Sequence, residues 1–206
     1  MMKKTLVQIL FIAVFLSNCL FLSACTPADE YPFSPIALEK RFGDSMEDVV
    51  EDLSIDLSSA EVVEQSEEQT DITMRNVPIA EGQTAIVRLS FNKDILDFVL
   101  YSSYDVEFIY DQAMALYDNF AEKYGEDITE PYWPAVKSNI SRERFLDCAS
   151  QPGFIARWKV QNKSISKSIY DGEDTKLAMR AESAVTTDGV NIANIYLSFI
   201  PLSQLP

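Results

Sequence analysis

The sequence predicts an α+β domain: an antiparallel sheet with two helices packed on one face, ending in a C-terminal β-meander. In several short segments after residue 84, apolar residues alternate with polar ones, which is typical of half-buried strands. In two other segments the apolar residues recur every three or four positions, as they do in amphipathic helices. With 47% hydrophobic and 24% charged residues, the composition is that of an ordinary globular domain.

Helical periodicity predicts the two helices. The first is expected over residues 45–54, where Asp44 and Glu47 have the spacing of a capping box. The second is expected over residues 105–124, where apolar side chains recur at spacings of four, three, four and four. Gly125 follows at the position where a helix commonly ends. The second helix is the longest and should pack on the sheet.

Two alternating segments predict a β-hairpin over residues 84–100, with its turn at 92–94. In the first strand we expect one side to carry Ala85, Val87, Leu89 and Phe91. In the second strand the alternating apolar residues, expected on one side of that strand, are Leu96, Phe98 and Leu100. The acidic residues of the neighbouring long helix fall outside its apolar stripe, so its outer face should be acidic.

The last fifty residues predict a four-stranded antiparallel meander, with strands near residues 154–160, 165–169, 175–186 and 190–200. Trp158 lies in an alternating segment and is expected in the core. The turn at 187–189 sets the register of the last two strands. A two-residue loop would place polar residues opposite apolar ones. A three-residue loop with Gly189 in the left-handed conformation places Leu177 opposite Phe199, and we expect this loop.

The composition excludes several classes of function. The chain has no histidine, so Ser-His-Asp catalysis, Cys-His catalysis and histidine-based zinc sites are all excluded. It also has no glycine-rich nucleotide motif, nucleophile elbow or Cys-x-x-Cys pair. The formal charge of −15 argues against nucleic-acid binding, which begins with the neutralisation of phosphates. We therefore expect no cofactor, no metal and no nucleic-acid partner.

An acidic segment spans residues 44–71, with eleven acidic residues and no basic one. One interpretation is a solvated helix face followed by an acidic loop. The other is a docking surface for a basic protein, whose encounter it would steer. The candidate partner-binding residues are Glu61, Glu64, Glu67, Glu68 and, in an aromatic loop at 132–134, Trp133. The alternative for Trp133 is that its ring covers an edge of the core.

The pattern of residues 1–24 predicts a secretory signal. Two lysines precede an apolar stretch that is short for a spanning helix, although an uncleaved anchor is the alternative. Leu22-Ser23-Ala24-Cys25 resembles the lipobox of bacterial lipoproteins. This resemblance implies that the signal is cut before Cys25 and that its thiol is diacylated. Cleavage would remove two lysines and no acidic residue, so the formal charge would fall from −15 to −17.

The resemblance also implies a location. Thr26, rather than aspartate, follows the cysteine, which favours the outer membrane facing the periplasm, or the cell surface in a single-membrane organism. Residues 25–36 are rich in proline and should form a flexible tether, followed by one domain over 37–206. Cys148 would be the one thiol left in the mature chain. It is expected to be buried, with an intermolecular disulfide as the alternative.

These observations predict a lipid-anchored, non-catalytic envelope protein that binds another protein, as an accessory, assembly or immunity-type module. The alternative is a periplasmic small-ligand binder or a carboxylate-based hydrolase. The two classes differ in the site that they require. A docking module predicts an acidic face without a deep pocket, whereas the alternative predicts a concave site with convergent carboxylates of raised pKa.

Overall fold

The computed structural model describes residues 30–128 and 141–204, and this part of the chain holds five α-helices and seven β-strands. The helices are Pro35–Glu39 (α1), Met46–Asp52 (α2), Val106–Tyr124 (α3), Arg142–Leu146 (α4) and Lys163–Ile169 (α5). The strands are Glu61–Ser66 (β1), Gln69–Ala80 (β2), Gln83–Asn92 (β3), Ile95–Ser103 (β4), Gly153–Trp158 (β5), Thr175–Val185 (β6) and Asn191–Pro201 (β7).

All seven strands form one antiparallel sheet in the order β1-β2-β3-β4-β7-β6-β5. The first four strands follow one another as hairpins, and the last three form a C-terminal meander. The two halves join where β4 pairs with β7, with Tyr101 opposite Ile195. The predicted α+β class is therefore confirmed.

The two predicted helices are present as α2 and α3. Ser45, rather than Asp44, caps α2: its hydroxyl accepts a hydrogen bond from the Asp48 amide at 3.1 Å. The Asp44 carboxylate instead pairs with Arg41 at 3.1 Å. Helix α3 begins after Asp105, whose carboxylate accepts from the Phe108 amide, and ends at Gly125 with φ +84°. This ending confirms the role predicted for the glycine.

Helix α3 packs on the C-terminal half of the sheet. The ring of Phe120 meets the indole of Trp158 edge-on, with centroids 5.3 Å apart, and Tyr117 lies 5.7 Å from the same indole. Trp158 is fully buried, as predicted. Aromatic pairs in this geometry add to the stabilisation from burial itself.

The predicted register of the last two strands is confirmed. The Thr186 amide donates to the Val190 carbonyl at 2.8 Å, which closes a three-residue loop, and Gly189 has φ +78°. Leu177 lies opposite Phe199, and Met179 lies opposite Leu197. Each pair places apolar side chains together on the buried face of the sheet.

Two strand predictions were wrong. Residues 165–169 belong to α5 and not to a strand, so the meander has three strands instead of four. Ile165 and Ile169 are four residues apart, which is a helical spacing, and the Asn162 side chain caps the helix by accepting from the Ile165 amide at 3.1 Å. The acidic segment after residue 60 forms the hairpin of β1 and β2 rather than a loop. All six residues of β1 are exposed, so burial imposes no alternation there.

A third difference lies in β4. Ser90 pairs with Phe98 whereas Phe91 pairs with Leu96, so Asp97 is an extra residue at a bulge. The bulge moves Phe98 and Leu100 to the side of the sheet opposite Leu96. The predicted common side for all three was therefore wrong beyond Leu96.

The helices all lie on one face of the sheet. Every helix in the described part contributes a buried residue to a single core cluster: Leu38, Val49, Ile109, Phe145 and Ile165. The alternate strand residues point away from this cluster and form what we call the open face. One row across it runs Thr73, Arg88, Leu100, Tyr196 and Arg180, from β2 to β6.

Ordered structure extends into the segment that was predicted as a tether. Pro35 is buried at the start of α1, which Ser34 caps, and Phe33 packs partly buried against the core. Within residues 30–128 and 141–204, no helix is long and apolar enough to span a membrane.

Candidate binding groove on the open face

The open face is concave near its first edge. A cavity of about 380 Å³ is lined only by strand residues, which run from Glu61 on β1 through β2, β3 and β4 to Ile192 on β7. A second cavity, of about 320 Å³, adjoins the first, and both are lined by Asp71 and Arg88. We call the two cavities together the groove.

Asp71 lies at the centre of the groove. It is near the start of β2, between Val63 on β1 and Ser90 on β3, and only 6% of its surface is exposed. Its Oδ2 accepts a hydrogen bond from the Gln65 side-chain amide at 3.3 Å. Its Oδ1 is buried and has no hydrogen-bond partner among the described residues. Such a buried acceptor is costly to leave unpaired.

Asp97 supplies a second carboxylate to the groove. Burial raises its pKa from the usual 3.8 to about 6, the negative charge of Asp71 adds to this rise, and a hydrogen bond from the Asn92 side chain opposes it. The β4 bulge places Asp97 in the wall of the second cavity, next to Phe98. The groove therefore holds two carboxylates that act on each other's charge.

Arg88 and Phe98 line the same cavity as the two carboxylates. Arg88 is exposed and, in the described structure, forms no ion pair with either aspartate. Phe98 is half-buried, and its ring lies 6.2 Å from that of Tyr196 on the open face. The groove thus combines acceptors, a basic group and an aromatic ring.

The four glutamates predicted as partner-binding residues do not share one surface. All four are exposed. Glu61 lies on the open face and faces Arg75 at 3.9 Å, whereas Glu64, three residues along β1, points to the other side of the strand. Glu67 and Glu68 form the turn between β1 and β2.

Contacts between turns bring the last two glutamates close to other acids. The Lys93 amide, in the β3–β4 turn, donates to the Glu68 carbonyl at 2.6 Å, and the Met46 amide donates to the Asp94 carbonyl at 3.0 Å. The β3–β4 turn therefore contacts both the β1–β2 turn and the first turn of α2. We call this surface the acidic end, and its exposed acids are Glu47, Asp48, Glu67, Glu68 and Asp94.

The remaining residues singled out from the sequence are Cys25, Trp133 and Cys148. Cys25 and Trp133 lie outside the described residues. Cys148 is free and 2% exposed, which confirms the expectation that it is buried. Within the described residues, no group of three or more acidic or cysteine side chains is placed to hold a metal ion.

Sequence reasoning missed Asp71 and Asp97 as a pair. Asp71 was counted only as the last acid of the acidic segment. Asp97 interrupts an apolar run between Leu96 and Phe98, and this interruption is the signal that could have singled it out. Their proximity depends on the β2–β3–β4 pairing and could not be read from the sequence.

The comparisons with known proteins add no family to this description. No protein-family model matches the chain, and neither a curated protein nor a solved structure matches it significantly.

Proposed function

We propose that this protein is a lipid-anchored component of the bacterial cell envelope that binds a basic protein partner at its acidic end and does not catalyse a reaction. The lipid would be carried by Cys25 and inserted in the outer membrane on its periplasmic side, or in the membrane facing the cell surface where there is one membrane. Residues between the lipid and α1 would hold the domain away from the bilayer.

The observation that carries this proposal is the grouping of Glu67, Glu68 and Asp94 beside the first turn of α2. These acids come from two turns that are separate in the chain, and the backbone hydrogen bond from the Lys93 amide to the Glu68 carbonyl holds the turns together. Lys93 is the basic residue of the two turns, so negative charge exceeds positive charge there. The groove opens beside the same turns, because Gln69 and Asn92 pair directly below them.

The electrostatics suit a basic partner. A surface of one charge sign raises the rate of encounter with an oppositely charged protein, and salt screens this attraction over roughly 10 Å at 0.1 M ionic strength. The same surface repels anionic phospholipid headgroups, so the acyl chains would have to supply the membrane attachment.

The docking proposal is tested by crosslinking in intact cells, followed by recovery of the lipidated protein and identification of the attached partner. The variant Glu47→Lys/Glu67→Lys/Glu68→Lys should weaken capture of that partner by about tenfold or more at low salt. The matched control is Glu81→Lys/Asp188→Lys, since these exposed acids lie in turns at the opposite end of the sheet. Equal capture by the two variants would reject the acidic end.

Glu61 and Glu64 are tested separately. Glu61→Lys/Glu64→Lys reverses the charges of the β1 edge while leaving the acidic end intact. We expect a smaller loss of capture than in the turn variant, because the two glutamates point to opposite sides of their strand. A larger loss would move the docking surface to the β1 edge.

The anchor has its own test. Cys25→Ala should leave the chain without acyl groups and release it from the membrane fraction, because the lipid is the proposed attachment. Metabolic labelling with a fatty-acid analogue measures the acylation. Continued labelling of the Cys25→Ala chain would disprove the assignment, and Cys148→Ala, which should still be labelled, is the control.

A small-ligand binder remains the second candidate, and the groove is the observation that favours it. Two aspartates converge in a concave site and the pKa of one is raised to about 6, which is the pattern expected for this class. A hydrolase built on the same pair would lose turnover in Asp97→Asn. That variant should still capture a protein at the acidic end, so the two functions can be separated.

A further inference from the structure

One oxygen of the Asp71 carboxylate, Oδ1, lacks a hydrogen-bond donor among the described residues, whereas Oδ2 accepts from the Gln65 side-chain amide. Asp71 is more than nine-tenths buried, and it lines both cavities. Because a buried carboxylate is stable only when donors or a positive charge surround it, the site is suited to a group from outside the chain. Asp71 forms part of the wall of both cavities, so a group bound in the groove would lie beside this carboxylate.

Asp97 provides a second carboxylate for the same group. Asp71 lies on β2 and Asp97 on β4, with β3 between them, so their strands are about 9–10 Å apart. Both side chains line the second cavity, above Ser90 of β3. At this spacing one donor group placed between the carboxylates can be attracted by both.

The remaining walls are suited to an organic cation. The Phe98 ring lines the cavity, and the face of an aromatic ring attracts ammonium and guanidinium groups. The side chains of Gln69, Ser90 and Asn92 add further acceptor oxygens. A cation with several N–H donors could use the carboxylates, the ring and these oxygens at once.

A calcium or magnesium ion fits the groove less well. Calcium prefers six to eight oxygen ligands at short distances, and two aspartates separated by a strand are a sparse set of strong ligands. Arg88 also borders the cavity, and its positive charge opposes a doubly charged ion more than a singly charged one.

We propose that the groove binds an organic cation, an ammonium or guanidinium group, which donates hydrogen bonds to Asp71 and Asp97 and lies against the Phe98 ring. The group would be either a free small amine or a lysine or arginine side chain of a bound protein. This inference rests on the groove and holds whether or not a protein docks at the acidic end.

The test is a titration of the full-length chain, held in a non-ionic detergent, followed by the NMR shifts of its backbone amides. The free probes are butylammonium and ethylguanidinium, with the neutral ethylurea as comparator. A capped Gly-Arg-Gly tripeptide represents the side chain of a protein. The variants are Asp71→Asn and Asp97→Asn, which keep the side-chain shape, and the matched control is Glu81→Gln, which removes a charge from the opposite end of the sheet.

We expect saturable shifts at residues 69–71, 90–92 and 97–98, with dissociation constants weakened at least about tenfold by Asp71→Asn and less than about twofold by Glu81→Gln. Saturation by the free probes would identify a small amine as a sufficient ligand, and saturation by the tripeptide alone would identify a side chain. The inference is overturned if neither saturates, if ethylurea binds equally well, or if both variants weaken binding to the same extent as the control.

Discussion

The Glu39 carboxylate joins the first helix to the end of the longest one. Its Oε1 accepts a hydrogen bond from the Tyr124 hydroxyl at 2.5 Å, and its Oε2 accepts one from the Lys123 ammonium at 2.8 Å. Glu39 is only 8% exposed, so these two donors replace water around a buried charge. The contact fixes α1 against α3.

Removal of the Tyr124 hydroxyl should therefore destabilise the fold. Tyr124→Phe keeps the ring but leaves Glu39 Oε1 without its donor, which should lower the free energy of unfolding by about 1–3 kcal/mol. Urea denaturation measures the change. Tyr104→Phe is the control, since Tyr104 is 65% exposed and should tolerate the loss. Equal stability of the two variants would show that the Glu39 contact contributes nothing.

Asp97 should make stability depend on pH. Its pKa is raised to about 6 in the folded chain, mainly by burial, against an ordinary value of 3.8. The folded state therefore binds more protons than the unfolded state between these values, and the free energy of unfolding should fall as pH rises from about 4 to 6. Asp97→Asn should remove this fall and stabilise the protein at pH 7 by at most about 3 kcal/mol.

Asp71 and Arg88 line the same cavity as Asp97, and Tyr170 also faces it electrostatically. The pKa of Tyr170 is raised to about 12, so this side chain stays neutral between pH 4 and 6 and does not contribute to the slope. The measurement is chemical denaturation at a series of pH values, with the exposed Asp188→Asn as control for the general repulsion of an acidic chain. If Asp97→Asn keeps the slope of the unaltered chain, the carboxyl does not titrate as argued.

Gly43 should tolerate substitution less well than Gly82. Both have positive φ, +95° and +67°, which costs any other residue about 1 kcal/mol. A Cβ on Gly43 would also lie 2.8 Å from Asn162 Oδ1, whereas a Cβ on Gly82 meets nothing within 4 Å. Asn162 caps α5 and donates to the Phe42 carbonyl at 2.8 Å, so it cannot withdraw freely.

Gly43→Ala should therefore lower the free energy of unfolding by about 1–3 kcal/mol more than Gly82→Ala, because overpacking adds to backbone strain. Thermal unfolding of the two variants side by side measures the difference. The same loss in both would mean that Asn162 moves aside without consequence.

Cys148 should be unreactive in the folded chain. Its thiol is 2% exposed, so a thiol reagent cannot reach it until the domain opens. In a Cys25→Ala chain from which the signal has been removed, labelling by a chromogenic disulfide should be slow in buffer and complete in denaturant. Ser150→Cys, an exposed position two residues away, supplies the rapid control. Rapid labelling of Cys148 itself would show that the thiol is accessible and would support the alternative of an intermolecular disulfide.

Local patterns predicted much of the fold. The apolar repeat of α3 and its end at Gly125 are contained in neighbouring residues, and so is the three-residue loop at Gly189. The errors arose where the local structure depends on contacts with residues that are distant in the sequence. The alternation of β4 breaks because Asp97 bulges out of its pairing with β3, and β1 forms because β2 offers it hydrogen bonds, although its side chains are exposed.

Only part of the candidate site could be predicted from the sequence. Acidic charge near residues 61–68 was visible, but the separation of Glu64 from Glu61, and the approach of Glu68 to Lys93, depend on strand direction and on the meeting of two turns. The Asp71–Asp97 pair requires three adjacent strands. The density of acidic charge depends on residues that are neighbours in the sequence. Which acidic side chains converge depends on how the strands pair in the sheet.

By itself the sequence determined that the chain is acidic, lacks histidine chemistry, and can form one domain of helices on an antiparallel sheet, because composition and apolar periodicity depend only on neighbouring residues. The tertiary structure alone decided which acids meet. Strand pairing placed Asp71 and Asp97, 26 positions apart in the chain, on the same concave face. Burial then left Oδ1 of Asp71 without a donor among the described residues, and burial is a property of the assembled sheet and not of any segment.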